Sequence, residues 1–365
     1  MSDFSSSKIR LAEFNVENLF LYLDHYQVGP NGDVPDLSTM SEKDWQRLTS
    51  SIVGNKPLEH VKSLARAVLD IDADILMMCE VGGVESLSNF SRLFLHDRYA
   101  VHLIEGNSDR GIDLGYLVKR SLPFKYELNS HKHRVIDFLY PHEVLSQETG
   151  YGNLRSARLS SHKFSRDVLE LRVLEEGRTE PAMILLLVHL KSQLDRTRID
   201  PGGRDRRRAE LEKLVTIYTE LDQEFGGRVP IVLTGDFNGV AAGARVDQEF
   251  EGLYKRSPLK DVLDVAEVAQ EERFTHMQLS MSRTRPGHNK QLDYIFIPPL
   301  LAARVNREET WVYRYRDLLG QTMLVPRNLN EKRLLASDHY PVVVTFDPVP
   351  DADSTADADP GRSSS

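Results

Sequence analysis

The stretch IVLTGDFNG, from Ile231 to Gly239, begins as an apolar segment and ends with a carboxylate, Asp236, and a carboxamide, Asn238. This pattern is typical of a buried strand that leaves the core and places polar groups at its end. The glycines on both sides let the backbone turn and let another group approach closely. A strand followed by a simple Asp/Asn turn would have the same pattern. The interpretation therefore depends on whether other predicted strands end in the same way.

The composition is that of an ordinary globular protein, with 365 residues of which 40% are hydrophobic and 28% charged. The formal net charge of -9 means that any polyanion must be bound locally. The N-terminus lacks the pattern of a secretory signal, and the longest apolar run, Ala182 to Val188, is too short to span a bilayer. Cys79 is the only cysteine, which excludes an intramolecular disulfide and a cysteine-based zinc cluster. We therefore expect a soluble, cytoplasmic protein without stable membrane association.

Hydrophobic periodicity predicts many short strands interleaved with helices, which indicates an α/β protein with helices outside the sheets. Helices are predicted at Glu42–Ser50, Leu58–Leu69 and Arg204–Phe225. Besides the strand at 231–236, strands are predicted at Ile9–Val16, Asp74–Cys79, Tyr99–Ile104, Leu114–Val118, Leu154–Leu159, Val168–Val173, Ala182–Val188, Leu292–Ile297 and Pro341–Phe346. We expect a flexible N-terminus over residues 1–8, one catalytic domain over 9–348 and a disordered tail over 349–365.

Six predicted strand boundaries carry polar groups, and together they indicate one rim where several strands end. These groups are Asn15, Glu80, His189, Asp236 with Asn238, Asp293, and Asp338 with His339. Carboxylates crowded beside a core repel one another and lose solvation, so a cation or a proton is needed to keep them together. Hard oxygen ligands without cysteine favour Mg²⁺, Mn²⁺ or Ca²⁺ over zinc. The sequence therefore predicts a divalent metal site at this rim.

The motifs around these residues also carry a family resemblance. FNVEN, CEVGG, VHLKS, TGDFNG, LDYIF and SDHYPV occur in an order that resembles the endonuclease/exonuclease/phosphatase superfamily, which includes deoxyribonuclease I and exonuclease III. The match extends from about Ile9 to Phe346. The resemblance implies a four-layer α/β sandwich with two central mixed β-sheets flanked by helices, and an active site at one end of the sheets. It also implies metal-dependent hydrolysis of a phosphoester.

The resemblance assigns roles to the individual residues at the strand boundaries. It implies that Glu80 is the principal metal ligand, with Asn15 and Asp338 close to the ion. Asp236 would orient or deprotonate the attacking water, and Asn238 would donate to the nucleophile or to the phosphate. The structural alternatives are a cap for Asn15 and an exposed turn for Asp338.

Two histidines and two basic residues complete the predicted site. His339 with Asp293 resembles a His–Asp pair in which the carboxylate fixes the imidazole tautomer, and the sequence leaves open whether His339 or Asp236 is the base. His189 is implied to contact the scissile phosphate or to assist the leaving group, with a solvent-facing loop histidine as the alternative. Arg166, in the phrase KFSRDVLEL, and Lys191 are the predicted substrate-binding residues.

The substrate is the least constrained prediction. The strip from Lys191 to Arg208 holds seven basic residues against three aspartates, and it could contact a phosphate backbone or form a solvated helix. Our first hypothesis is a nuclease that cleaves DNA or RNA phosphodiester bonds. A phosphatase or phosphodiesterase for a small molecule or lipid headgroup is the alternative that the negative net charge favours. A non-catalytic binding module is disfavoured, because every motif position has a chemically competent residue. Candidates for a substrate loop are Arg283, Arg285 and His288.

Overall fold

Two six-stranded β-sheets face each other in the computed structural model, which describes residues 4–26, 36–37, 39–148, 161–195, 198–279 and 288–349. In spatial order, the first sheet contains β13 (Trp311–Val312), β14 (Val342–Phe346), β1 (Ile9–Leu19), β2 (Ile75–Val81), β4 (Asp113–Lys119) and β3 (Tyr99–Leu103). The second contains β5 (Lys125–Ser130), β6 (Val168–Leu174), β7 (Met183–His189), β8 (Ile231–Asp236), β12 (Asp293–Ile297) and β9 (Lys260–Asp261). A separate hairpin pairs β10 (His276–Gln278) with β11 (His288–Lys290).

Each sheet contains one parallel pair, and this arrangement brings the polar strand boundaries together. Strand β1 is parallel to β2, and β7 is parallel to β8, with His189 opposite Asp236 in register. Strand β12 is antiparallel to β8 and pairs Asp293 with Asp236, while β14 is antiparallel to β1. The ends of β1, β2, β7 and β8 and the starts of β12 and β14 therefore lie at one end of the two sheets.

Helices cover the outer faces of both sheets. The helices of the described residues are α1 (Glu42–Gln46), α2 (Leu58–Ile71), α3 (Gly83–Phe94), α4 (Pro141–Glu148), α5 (Arg204–Glu224), α6 (Glu251–Arg256), α7 (Val262–Val265), α8 (Pro299–Ala302) and α9 (Leu329–Lys332), of which α2, α3, α5, α7 and α8 pack on the sheets. Helix α2 buries a stripe of apolar residues against the first sheet and ends at Asp72, which adopts a left-handed conformation that terminates the helix. Helix α5 packs on the second sheet. The predicted four-layer α/β sandwich with two central mixed sheets is confirmed.

Strand β7 shows why some strands of this chain are apolar at every position. Leu185 and Leu187 belong to the hydrophobic core that includes the space between the sheets, whereas Ile184, Leu186 and Val188 belong to the cluster beneath α5. A strand with a packed layer on each face needs apolar side chains on both. Burying each of these side chains stabilises the fold by roughly 1.5–3 kcal/mol. The two sheets are also joined by the hydroxyl of Tyr116, which donates to the carbonyls of Leu169 and Leu185 on the second sheet.

Most predicted elements are present, with some changes in their bounds. The helices predicted at Leu58–Leu69 and Arg204–Phe225 are α2 and α5, whereas the one predicted at Glu42–Ser50 is only the short α1. Helix α3 was not predicted, because its start at Gly82-Gly83 has the sequence of a turn. Within the N-terminus predicted to be flexible, Phe4 lies in a 3₁₀ turn and is buried. The strand predicted at Leu154–Leu159 and the predicted tail beyond Val349 lie outside the described residues.

No helix in the described part of the chain combines the length and the apolar composition needed to cross a membrane.

Candidate active site

Asp236 lies at the centre of the strand ends and receives hydrogen bonds from both sheets. Its Oδ2 accepts from the Asn15 amide of β1 at 3.1 Å, and its Oδ1 accepts from the backbone N–H of Asn238 at 2.7 Å. The Nε2 of His189 lies 3.5 Å from Asp236 Oδ2 and 3.9 Å from Glu80 Oε1. The structure therefore brings together Asn15, Glu80, His189, Asp236 and Asn238, although the first and the last of them are more than 200 residues apart in the sequence.

Left-handed backbone conformations turn the polar groups into this centre. Glu17, Asn18, Glu80 and Asn238 all have positive φ, between 48° and 66°, although none of them is glycine. Such a conformation costs roughly 1–2 kcal/mol for an ordinary residue, so it needs support from the surrounding structure. Part of that support is local, because the N–H of Asn18 donates to Glu80 Oε2 at 3.1 Å. The concentration of strained residues at these strand ends is typical of a functional site.

The environment of Asp236 changes its acidity. The carboxyl of Asp236 is almost fully buried and faces Asp293. Burial, and to a smaller extent the charge of Asp293, raise the pKa of Asp236 to about 7. The imidazole of His189 is also buried, and burial together with Arg166 lowers the pKa of His189 well below its usual value. His189 is therefore neutral at pH 7. Since its Nε2 faces two carboxylates, we assign the proton to Nε2, which makes His189 a hydrogen-bond donor.

Asp293 and His339 form the predicted pair. The Nδ1 of His339 lies 2.7 Å from Asp293 Oδ2, and the backbone N–H of His339 donates to the Ser337 hydroxyl at 3.0 Å. Burial opposes protonation of His339, but the carboxylates of Asp293, Asp236 and Asp338 outweigh it and raise the pKa of His339 well above its usual value. The carboxylate thus fixes the tautomer and supports a charged imidazole.

Two groups of donor atoms among the described residues are close enough to share a metal ion. One consists of Asp236, Asp293 and His339, and the other of His276, Asp338 and His339. In the first group the Oδ1 of Asp293 is buried without a hydrogen-bond partner among the described residues, so it is free to accept a cation. The oxygen-rich donor set suits a hard divalent ion. Glu80 belongs to neither group, and its role as principal metal ligand remains a prediction.

Asp338 is held by basic groups in the structure. Lys332 Nζ lies 2.9 Å from Asp338 Oδ2, and His276 Nε2 lies 3.4 Å from the same oxygen. Although burial opposes it, the hydrogen bond from His276 and the charge of His339 hold the pKa of Asp338 well below its usual range. The backbone N–H of Asp338 also donates to Glu17 at 2.8 Å. Asp338 is therefore an ordered anion beside the site, and its contact with an ion remains a prediction.

Glu13 is a buried acid that the sequence analysis missed. Its side chain is fully buried, and both carboxyl oxygens lack a hydrogen-bond partner among the described residues. Burial first, and then the charges of Asp293 and Asp236, raise the pKa of Glu13 well above its usual value. The available signal was strand periodicity, because residues 13 and 15 of β1 point to the same face as each other.

Two arginines approach the same centre. Arg166 is buried, with its Nη1 3.4 Å from the carbonyl of Leu190, directly after His189. Arg110, in the loop between β3 and β4, donates to the side chain of Asn18 at 2.8 Å. No local sequence pattern marks Arg110 as a site residue, because the approach of its loop to β1 depends on tertiary packing. Lys191 is nearby, but its Nζ donates to the carbonyls of Ser192 and Leu194 in its own loop. Whether Lys191 reaches a substrate remains a prediction.

A depression lies on each side of this centre, and Arg110 lines both. One has a volume of about 850 Å³ and is lined by Glu17, Asn18 and four further basic residues, Lys56, His60, Lys332 and Arg333. The other has a volume of about 1150 Å³ and is lined by Arg166, Lys191, Lys163 and Arg206 among others. Arginines and lysines therefore flank the cluster of acids and histidines on both sides.

The basic strip that begins at Lys191 has a structural component. Arg207 is buried and pairs with the buried Glu249 at 2.5 Å, while its guanidinium also donates to the carbonyls of Lys191 and Gly202. It thus fastens the loop after His189 to α5. Arg206 lies 3.4 Å from Glu210, but Glu210 is buried, so this pair differs from the solvated pair of an exposed helix face. Three of the basic candidates, Arg196, Arg283 and Arg285, lie outside the described residues.

Comparisons with known proteins identify the fold. No family model and no curated protein sequence matches this chain. Among solved structures, truncated TDP2 from Caenorhabditis elegans is similar with a TM-score of 0.53 and 16% identity, covering 94% of this chain and 99% of that one. TDP2 from D. rerio, complexed with a single-strand DNA product, is similar with a TM-score of 0.53 and 15% identity, covering 93% of this chain and 99% of that one. A mannosyl-6-phosphatase from Bacteroides thetaiotaomicron is similar with a TM-score of 0.50 and 15% identity, covering 92% of this chain and 98% of that one.

A structure described as an endonuclease/exonuclease/phosphatase from Bacteroides vulgatus is similar over the same length, with a TM-score of 0.51 and 15% identity, covering 94% of this chain and 100% of that one. The chain therefore has the fold of the endonuclease/exonuclease/phosphatase superfamily, as its motifs predicted. At this level of identity the similarity concerns the fold alone.

Proposed function

We propose that this protein is a divalent-metal-dependent phosphoester hydrolase that cleaves phosphodiester bonds of DNA or RNA by in-line attack of water. The observation that carries the proposal is the convergence of Asp236, His189 and the Asp293–His339 pair at one end of the sheets, with basic depressions on both sides. Fold neighbours that include TDP2 with a DNA product and a phosphatase support phosphoester chemistry.

The acids and histidines supply proton transfer and orientation. Asp236 accepts the proton of the attacking water, or orients that water, while the Asn238 N–H and the Asn15 amide hold its carboxylate. The charged His339, held by Asp293, faces the same space and stabilises negative charge that develops on the phosphate. In-line displacement needs the attacking and leaving oxygens on opposite sides of phosphorus. The location of these groups on several strand ends suits that requirement.

Donors on the opposite side of Asp236 would bind the phosphate. His189 donates from Nε2, and Arg166 and Arg110 supply guanidinium groups that match the oxygens of a phosphate. The predicted ligands Glu80, Asn15 and Asp338 would hold Mg²⁺ or Mn²⁺, with Ca²⁺ as a further candidate. When bound, such an ion neutralises the phosphate and the leaving oxygen.

The two depressions favour a nucleic acid over a single phosphate. A strand that continues past the scissile bond places further phosphates on both sides of it, where the exposed Arg110 and Arg333 line one depression and Lys163 and Arg206 line the other. A phosphatase or phosphodiesterase for a small molecule is the second candidate. It is favoured by the acidic residues Glu143, Asp195 and Asp200 in the larger depression and by the net charge of -9.

An activity panel with a catalytic variant tests the proposal. The purified chain is assayed with Mg²⁺ or Mn²⁺ on plasmid DNA, single-stranded DNA, RNA and a phosphomonoester. Asp236→Ala should lower kcat by at least about 100-fold, the typical contribution of a positioned acid or base, without a change in the circular dichroism spectrum. The control Glu251→Gln, on an exposed turn of α6, should retain full activity. Retained activity in Asp236→Ala would contradict the assignment.

The salt dependence of binding separates the two substrate classes. A nucleic acid that contacts several basic groups releases counterions, so its affinity falls steeply as salt rises, whereas a single-phosphate substrate gives a shallow slope. A shallow slope together with hydrolysis of the phosphomonoester alone would replace the nuclease by the second candidate.

A further inference from the structure

The larger depression has one wall that consists of aromatic rings held on a fixed stem. The segment between β5 and β6 is closed by pairing of Val135 with Lys163 and by hydrogen bonds from Ile136 N to His162 O at 2.8 Å and from His162 N to Phe138 O at 3.0 Å. An ion pair of 2.7 Å between Asp137 and Lys213 attaches this stem to α5. The stem therefore fixes the position of the side chains that it carries beside the depression.

Four rings cluster on this stem around Tyr140. The ring of Tyr140 packs edge-on against Phe138 at 4.9 Å and against His162 at 5.2 Å, and it is nearly parallel to His142 at 5.9 Å. Phe138 faces the hydrophobic cluster beneath α5, so it serves packing. Tyr140 is half-buried, His142 is exposed, and both line the depression with His162. Since the rings are not covered by other parts of the described chain, they offer an aromatic surface to a ligand.

Cations surround the aromatic surface and connect it to the site of Asp236. Arg206 hydrogen-bonds to the side chain of Tyr140 and also donates to the carbonyl of Lys163 at 3.1 Å. Lys163 is exposed at the same wall, and the floor of the depression continues to Arg166 beside His189. A volume of about 1150 Å³ is larger than a single phosphate requires. The depression thus combines an aromatic wall for a flat ring with cations for phosphates.

We propose that this depression is a nucleotide subsite in which Tyr140 and His142 stack on an unpaired base, while Lys163 and Arg206 bind the adjacent phosphate of the strand. The proposal rests on the proposed phosphodiester hydrolysis and adds its substrate class, a single-stranded or unpaired nucleic acid. In a duplex the faces of each base are occupied by neighbouring bases, so a paired base cannot stack on a protein ring without being displaced. The subsite therefore favours single strands and frayed ends over intact duplex.

Kinetics on substrates with and without bases test the subsite. The full chain is assayed with a thymidine oligonucleotide and with an oligonucleotide of equal length whose residues all lack bases. Tyr140→Leu keeps an apolar side chain against Phe138 but removes the aromatic face. It should raise KM for the thymidine oligonucleotide about 5- to 150-fold, the usual effect of losing one stacked base, with kcat unchanged. KM for the baseless oligonucleotide should stay the same.

Two further variants separate stacking from packing. Tyr140→Phe retains the ring and should keep the wild-type KM on both substrates. Tyr126→Leu is the matched control, because Tyr126 is a half-exposed tyrosine on the edge strand β5 that does not line the depression. An unchanged KM of Tyr140→Leu for the thymidine oligonucleotide, or an equal rise on both substrates, would overturn the proposal.

The same panel separates failure of the subsite from failure of the proposed function. If the wild-type chain cleaves bis(p-nitrophenyl) phosphate with Mn²⁺ and does not cleave oligonucleotides, the phosphoester chemistry stands and the nucleotide subsite is overturned. If the wild-type chain hydrolyses no phosphoester at all, the proposed function fails, and the subsite proposal fails with it.

Discussion

The Gly235→Ala variant is expected to destabilise the protein because Gly235 lies where β7 and β8 pair beside the site. Gly235 is opposite Val188 in the parallel register, immediately before Asp236, and has a φ of 129°. A Cβ added at this position would lie 1.9 Å from the carbonyl oxygen of Val188 and 2.9 Å from its carbonyl carbon. Because both atoms belong to the backbone of a central strand, the overlap cannot be relieved by a rotamer change.

The magnitude follows from two separate effects. A non-glycine residue in this region of φ costs of order 1–3 kcal/mol. Separating the two strands to remove the overlap weakens at least one backbone hydrogen bond between them, which adds about 0.5–1.5 kcal/mol. Gly235→Ala should therefore lower the free energy of unfolding by about 1.5–4.5 kcal/mol. It should also lower kcat, because the same movement displaces the carboxylate of Asp236.

Urea denaturation followed by circular dichroism measures this loss, and a matched glycine provides the control. Gly227 lies after α5 with a φ of 70°, and a Cβ there would meet no atom within 4 Å. Gly227→Ala bears only the conformational cost of roughly 1–2 kcal/mol. The two variants should differ in denaturation midpoint at unchanged m-value. Equal midpoints for Gly235→Ala and Gly227→Ala would refute the steric reasoning.

Three further outcomes are expected. Burial raises the pKa of Asp261 to about 7; since the unfolded value is lower, its stabilising contribution is complete below about pH 4 and is lost as pH rises through 7. Asp261→Asn should therefore match the wild type at pH 4 and exceed its stability by up to about 4 kcal/mol at pH 8 in urea titrations. Glu249→Ala should lower the free energy of unfolding by about 3–5 kcal/mol, since it leaves Arg207 buried without its ion-pair partner. An unchanged urea denaturation midpoint would contradict this expectation. Mg²⁺ at 100 times its Kd should raise unfolding stability by about 2.7 kcal/mol, and a chelator should reverse the rise in Tm.

The strand ends were predictable from the sequence because their signal is local. An apolar run followed by a polar residue, as in IVLTGD and MILLLVH, specifies where a strand leaves the core, and this pattern predicted Asp236 and His189 as site residues before any contact was known. Because six predicted strand boundaries carry polar groups, the sequence also predicted that several strands end at one rim. The structure brings His339 and Asp293 into the expected pair at 2.7 Å.

Residues that reach the site through tertiary packing were not predictable in this way. Arg110 lies in a loop between two strands, and only the pairing of those strands beside β2 brings it to Asn18. Lys56 is buried, and its Nζ donates to the backbone carbonyl of Glu17 at 2.6 Å. This contact joins two segments that are distant in the sequence. Glu13 lies in the middle of β1, and its burial depends on packing of the second sheet against this strand. Local periodicity shows which residues face the same way, but not what they face.

The charge distribution at the site is compatible with binding of a cation. Asp338 is paired with Lys332, and Asp293 with His339. Asp236 has amide, backbone and neutral imidazole partners among the described residues, and it shares the single charged imidazole of His339 with Asp293. A carboxylate buried without a counter-charge is stable only when it binds a proton or a cation. The side chains therefore leave Asp236 in need of one more positive charge, which a metal ion with the phosphate that it carries can supply.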